Sequence, residues 1–468
     1  LAYEVVTERA ALQLAFNQVA DFTAMIFTMP PNSRPVLVAN LTSLVDTHRV
    51  QLEIVQPLAA GLPLNMHGMT YPLNREQWIA DIVAGRTIVL VEGAATAYSI
   101  QLPSPATRSV QESQNENVIP GPRDSFTESW QTNLGLIRRR IQSPQLRVEA
   151  MTIGTLTNTT CALLSIAGLT PDPIYTQIRM QLLSLHPDAL IDSSQLEQLL
   201  EPYPYSPFEQ IENTERPDRA SMELLRGRLV ILVDNAASAL ILPTTFFDLQ
   251  ESPVDQYQRP LITSIRKLIR MAGFFIATYL SSIYLSLVLY HAHLIPEKFV
   301  IILAEKRVQV PFPAWFEIIV MHMMIDMTLE AIIRLPAKLG QIIGVAGAIV
   351  LGQAITAVHL ISPTVIVIVA VTTIAGYVQA HLSSSFSIYA VRYFNLALAS
   401  MLGLYGVMLS AMFWLVHLCS LNAYHTPYLR PLSPFDWATL RDRLIRLRVP
   451  WVADKQNARW QKKEDASS

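Results

Sequence analysis

Apolar and polar positions follow different rules on either side of residue 260. Beyond it, long stretches carry no charge. No Asp, Glu, Lys or Arg occurs between Arg270 and Glu297, and Leu268 to Tyr290 is almost wholly apolar and aromatic. About 20 such residues cross a bilayer core, so this run predicts a membrane helix. Leu339 to Val391 is also uncharged and long enough for two crossings, with Ser362-Pro363 as the break because proline disfavours helix in the residue before it. The pattern predicts a third span from Thr364 to His381 and a fourth from Phe394 to Leu418.

Ahead of residue 260 the apolar runs are short. Gly85 to Ala97 and Gly227 to Ala239 match at seven of thirteen positions at a constant offset of 142. Each copy follows a helical stretch ending at glycine and then reads as a hairpin of two apolar strands with an acid at the turn. Upstream, strands near Asp21 to Thr28 and Pro35 to Asn40 precede a helix from Thr42. Strands near Arg147 to Thr155 and Cys161 to Gly168 precede a helix from Pro173. The expected fold is therefore an α/β region of two related strand-helix-strand subdomains (1–107 and 146–260), joined by a linker (108–145). An all-α polytopic transmembrane domain (261–420) and a basic tail (421–468) follow.

Charge sharpens this division. Overall, 35 Lys+Arg oppose 37 Asp+Glu, and 15% of residues are charged, against about 25% in soluble domains. Residues 1–260 hold 17 Arg, no Lys and 27 acids, which argues against a nucleic-acid partner. Residues 1–19 read as an amphipathic acidic segment rather than a secretory leader. Arg266, Lys267 and Arg270 precede the first span, and Arg441, Arg443, Arg446, Arg448, Lys462 and Lys463 stand in the tail. The positive-inside rule then puts both the N-terminal region and the tail in the cytoplasm, with an even number of crossings. Four is preferred, and the basic residues between the first two spans leave six open.

Candidate chemistry concentrates in the membrane part. His322, Asp326, Glu330 and Arg334 recur every four residues and share one helix face. Ionisable groups at membrane depth normally face protein or water, so His322, Asp326 and Glu330 are candidates for a cation path. An interfacial helix carrying a Glu330–Arg334 pair is the alternative. Glu317, on another face, is assigned to a partner interface. Gly340, Gly344, Ala348 and Gly352 form a small-residue stripe of the kind that packs transmembrane helices. Gln341 and Gln353 on the same span are candidates for interhelical hydrogen bonds or ion contact. Arg123 and Glu128 mark the interdomain linker, and Arg138, Arg139 and Arg140 after them read as a solvated face or, preferentially, as ion-pairing residues. No nucleophile, metal or cofactor constellation argues for an enzyme.

Gly121-Pro122-Arg123-x-x-Phe126-x-Glu128, Asn133 and Leu136-Ile137-Arg138-Arg139-Arg140-Ile141 strongly resemble the A subunits of GerA-type spore germination receptors. So do, in order, Thr214-Glu215-Arg216-Pro217-Asp218, Pro243-Thr244-Thr245-Phe246, Val310-Pro311-Phe312-Pro313, Ile333-Arg334-Leu335-Pro336, Gly352-Gln353-Ala354 and Leu418-Cys419-Ser420-Leu421. Two positions depart from the family pattern: Asn235-Ala236-Ala237 replaces a Gly-Thr-Pro turn, and His322 replaces an acid. The resemblance implies a multi-pass protein of the spore inner membrane that works with a transporter-like B subunit and a lipoprotein C subunit. It also implies a ring of A subunits in lipid that releases monovalent cations when nutrient binds. A non-conducting signalling scaffold and a related downstream amplifier channel are the alternatives. No cofactor is implied.

Overall fold

The computed structural model describes residues 4–17, 19–30, 34–62, 69–71, 74–94, 96–103, 121–308, 310–334, 360–380 and 384–446. The first unit runs α1 (Val5–Ala15), β1 (Phe22–Met29), β2 (Arg34–Leu41), α2 (Thr47–Val50), a π-helical turn (Gln51–Val55) and α3 (Gln56–Ala59). It continues with β3 (Met69–Tyr71), α4 (Arg75–Val83), β4 (Arg86–Val91) and β5 (Ala97–Gln101). α5 (Trp130–Arg138) leads into the second unit, which opens with β6 (Leu146–Ile153), β7 (Thr159–Ile166), α6 (Asp172–Ser184) and α7 (Ser193–Leu200). β8 (Glu212–Thr214), α8 (Pro217–Leu225), β9 (Leu229–Val233), β10 (Ala239–Leu242) and α9 (Phe246–Leu249) complete it.

The two sheets have one topology. Their orders are β1-β2-β4-β5-β3 and β6-β7-β9-β10-β8, all antiparallel. The hairpin register is conserved as well, with Val89 opposite Tyr98 in one and Ile231 opposite Leu240 in the other. In the second sheet both faces are covered. Cys161, Leu163, Ile231 and Leu240 pack toward α6 and α7, while Ala162, Leu164, Val230 and Ile241 pack toward α5 and α8. Burial on both faces explains why Leu229–Val233 is apolar without alternation.

A helical region follows: α10 (Pro260–Leu289), α11 (Glu297–Arg307), α12 (Ala314–Arg334), α13 (Pro363–Tyr377), α14 (Ser384–Leu402) and α15 (Leu404–Ser420). α10 is long and apolar enough to cross a bilayer; α13 to α15 are shorter apolar helices. The single span expected over Phe394 to Leu418 is corrected. The chain reverses at Gly403, so α14 and α15 form an antiparallel hairpin in which Phe394 meets Trp414 and Asn395 meets Ser410. Gly403 has φ +60°, and a Cβ there would lie 2.9 Å from His291 Cε1. An uninterrupted apolar run carries no mark of such a reversal.

The segment after α15 is not a free tail. β11 (Asn422–Ala423) and β12 (Thr426–Pro427) form a small hairpin whose Ala423 and Tyr424 enter the core of the second unit, and α16 (Trp437–Leu444) follows. Phe208, Phe246 and Phe247 of the second unit share a further core with Phe274 of α10, Val391 of α14 and Trp414 of α15. The helical region and the second α/β unit are therefore joined through apolar packing.

Candidate functional site

The helices α10, α12, α13 and α14 enclose a line of polar side chains. His322 is fully buried, and its Nε2 is hydrogen-bonded to Ser281 Oγ of α10 at 2.9 Å; Ser281 also donates to Thr372 Oγ1 of α13. One turn further, Asp326 Oδ2 accepts from Arg392 Nη2 at 2.7 Å and from the Tyr393 hydroxyl at 2.6 Å. Arg392 is 2% exposed and lies over the rings of Tyr389 and Tyr393. Asn395 donates to the Thr278 carbonyl and accepts from Ser410. Glu330 is exposed. The predicted stripe therefore divides into a buried histidine, a carboxylate paired with arginine and a surface glutamate.

Glu317 is corrected from a partner surface to the interior. It is 1% exposed, its Oε2 accepts the Ser362 N–H at 2.8 Å at the start of α13, and Arg307 stands 3.7 Å from its Oε1. Gln341, Gln353, Gly340, Gly344, Ala348 and Gly352 lie outside the described residues, as does the second predicted span. Arg392 was missed as a site residue although the sequence signals it, because it is the one charged side chain between Lys338 and Arg430.

The linker residues fall into two groups. Arg138 makes two hydrogen bonds of 2.7 Å to Asp21 at the start of β1, with side chains 1% and 2% exposed, and Ser43 donates to the same carboxylate. Arg140 pairs with Asp124. Arg139, Arg123 and the Glu128 side chain are exposed. The Glu128 carbonyl accepts the Asn235 N–H at 2.7 Å, in the turn where Asn235 adopts φ +65°. Arg138 and the Ala20 N–H, which donates to the Val148 carbonyl, tie the two α/β units together.

A second cluster, unforeseen from the sequence, lies where the α/β region meets the helices. Arg219 is fully buried, with Glu212 at 2.7 Å and Glu223 at 3.0 Å. Glu223 also meets Arg226 at 2.7 Å and Arg228 at 3.3 Å, and Glu251 meets Arg226 at 2.9 Å and Lys267 of α10 at 3.0 Å. Asp248 holds Arg228 and Arg443 of α16. Burial alone would raise the carboxyl pKa of Glu223, Asp248 and Glu251. The surrounding guanidiniums, with Lys267 acting on Glu251, override it and hold all three below their ordinary values. Arg270 of α10 pairs with Asp255, and Arg446 donates to the backbone carbonyls of Asp255, Gln256 and Gln258.

A family model described as Bacillus/Clostridium GerA spore germination protein matches residues 10–458. Spore germination protein KA of Bacillus subtilis (strain 168) is 34% identical over 424 residues, covering 90% of this chain and 76% of that protein. Spore germination protein A1 of the same organism is 35% identical over 371 residues, covering 79% and 77%. Its uncharacterized membrane protein YfkQ is 32% identical over 418 residues, covering 89% and 79%. A crystal structure of the N-terminal domain of the A subunit of the Bacillus megaterium spore germinant receptor GerK3 aligns with a TM-score of 0.39 at 27% identity, covering 51% of this chain and 93% of that one.

Proposed function

Because this chain belongs to the Bacillus/Clostridium GerA family of spore germination proteins, we propose that it is a membrane subunit of a nutrient-responsive germination receptor. In this reading its helical region oligomerises into a gated path for monovalent cations. The observation that carries the membrane part is an inverted distribution of polarity. Thr278, Ser281, Ser282, His322, Thr372, Asn395 and Ser410 are buried between helices, while Phe275, Val367, Ile374, Met408, Met412 and Val416 are each more than half exposed. Water penalises apolar exposure on this scale, whereas lipid tails solvate it without cost and favour polar groups turned inward. This supports several membrane-embedded helices packed on α10, within a membrane domain of residues 261–420.

In this reading His322, Asp326 and Glu330 border the ion path, with Gln341 and Gln353 on the neighbouring span, and the Gly340 to Gly352 stripe brings A subunits together. The Asp326–Arg392 pair is the closed arrangement, because a neutralised carboxylate offers a cation little attraction. Nutrient bound elsewhere in the receptor favours a state in which the pair separates. The partners are a transporter-like B subunit and a lipoprotein C subunit in the spore inner membrane, with the α/β region and the basic tail cytoplasmic. The protein is not an enzyme in this account.

The same ion pair also favours a second reading, a non-conducting scaffold, since Asp326 is satisfied within one subunit. Receptor reconstituted in liposomes and assayed for K⁺ flux separates the two. Arg392→Gln is expected to raise basal flux and Asp326→Asn to reduce nutrient-triggered flux, each by about tenfold, with assembly intact. Flux indifferent to both substitutions in an assembled receptor favours the scaffold.

A further inference from the structure

Between the second α/β unit and the segment after α15 lies a cleft of about 90 Å³, several times the roughly 10–15 Å³ that one water needs. Four arginines line it. Arg226 and Arg228 come from the α8–β9 connection, Arg430 from the loop after β12, and Arg443 from α16. Asp436 also lines it and caps α16, its carboxylate accepting the N–H groups of Ala438 and Thr439.

Three of these guanidiniums are pinned from behind by Glu223, Asp248 and Glu251, so their positions are set before any ligand arrives. Among the described residues of the cleft and the cluster behind it, six basic side chains (Arg219, Arg226, Arg228, Lys267, Arg430, Arg443) meet five acids (Glu212, Glu223, Asp248, Glu251, Asp436). One positive charge is in excess. Arg228 Nη1 is buried with no hydrogen-bond partner among the described residues. A buried N–H without an acceptor carries a cost that an anion's oxygen removes. Burial lowers the pKa of Arg430, and Arg443 adds to that effect against Asp436, so an anion beside it relieves both.

We propose that this cleft binds a phosphate group, supplied either by an anionic lipid headgroup or by a soluble phosphate compound. Guanidinium forks match phosphate oxygens in pairs. A tetrahedral phosphate presents oxygens in several directions, as arginines arriving from three separate chain segments require, whereas a planar carboxylate serves two. Because the cleft lies between the second α/β unit and the segment that follows α15, its occupancy bears on how the α/β unit sits against the helices.

The test uses the full chain in phosphatidylcholine nanodiscs, titrated with inorganic pyrophosphate at constant ionic strength and followed by thermal unfolding. A parallel preparation contains phosphatidylglycerol. Stabilisation by pyrophosphate in phosphatidylcholine assigns a soluble source; stabilisation by phosphatidylglycerol that also blocks pyrophosphate assigns the headgroup. Arg430→Gln is expected to weaken the response about tenfold. Asp436→Asn keeps the helix cap and is expected to strengthen it. If Arg430→Gln does not fold, Asp436→Asn alone decides. The proposal is overturned if neither anion stabilises beyond chloride, or if Asp436→Asn responds as the unsubstituted chain does.

Discussion

Glu197 stands on α7 near Glu209 and Glu201, and burial first, then these two charges, push its carboxyl pKa up to about 8. A carboxyl whose folded pKa is raised stabilises the fold fully below its unfolded value of 4.5, and that contribution is lost as pH rises through about 8. Glu197→Gln keeps the neutral shape at every pH. Its thermal unfolding should match the unsubstituted chain at about pH 4 and exceed it at about pH 9, by on the order of a few kcal/mol when the glutamate is ionised. A constant difference across that window would refute the assignment. Single residues were the least legible scale in the sequence. Three consecutive arginines announced ion pairing, yet nothing local named Asp21, 117 positions upstream, as the partner of Arg138. Arg219 carries no local mark of burial: Glu223, one helical turn away, is an ordinary i,i+4 partner, whereas Glu212 and Glu251 come from other elements and are brought to it only by the fold.

At the scale of elements, what could be read from sequence was what burial dictates locally. The repeated hairpins were visible because β4 and β9 are buried on both faces and keep the same glycine, arginine and alanine neighbours, and their common sheet order follows. The α14–α15 hairpin was invisible because lipid-type apolar sequence has one composition whether the chain continues or reverses. Its tightness rests on Gly406, where a Cβ would lie 2.1 Å from the Leu398 carbonyl oxygen, a backbone atom with no rotamer to escape through. Gly406→Ala must therefore spread the two helices and stretch the Asn395–Ser410 hydrogen bond. The expected loss is about 1–3 kcal/mol or more, seen as a lower unfolding temperature in detergent. An unchanged value would mean that the helices are not in this close contact.

Across the whole molecule, the buried ion cluster joins three parts that are far apart in sequence: α8 and β9 of the second unit, Lys267 near the start of α10, and Arg443 of α16. Movement of any one part disturbs ion pairs made by the others, which makes the cluster a stiff connection between the α/β region and both ends of the helical region. Its carboxylates have lowered folded pKa values, so their contribution is present above the unfolded values of 4.5 for glutamate and 3.8 for aspartate and is lost as pH falls below them. Asp248→Asn removes a charge shared by Arg228 and Arg443 while keeping the side chain's size. Breaking a buried pair in this way leaves uncompensated guanidiniums and costs about 3–5 kcal/mol. If the cluster is the connection, the first consequence is local: α16 should release, and protease should cut near Arg441 and Arg443 at neutral pH in the variant, whereas the unsubstituted chain becomes susceptible there only on acidification below about pH 4. Cleavage spread evenly over both α/β units would instead mean that Asp248 supports the general fold and that the helices are held by the Phe208, Phe246 and Trp414 core alone.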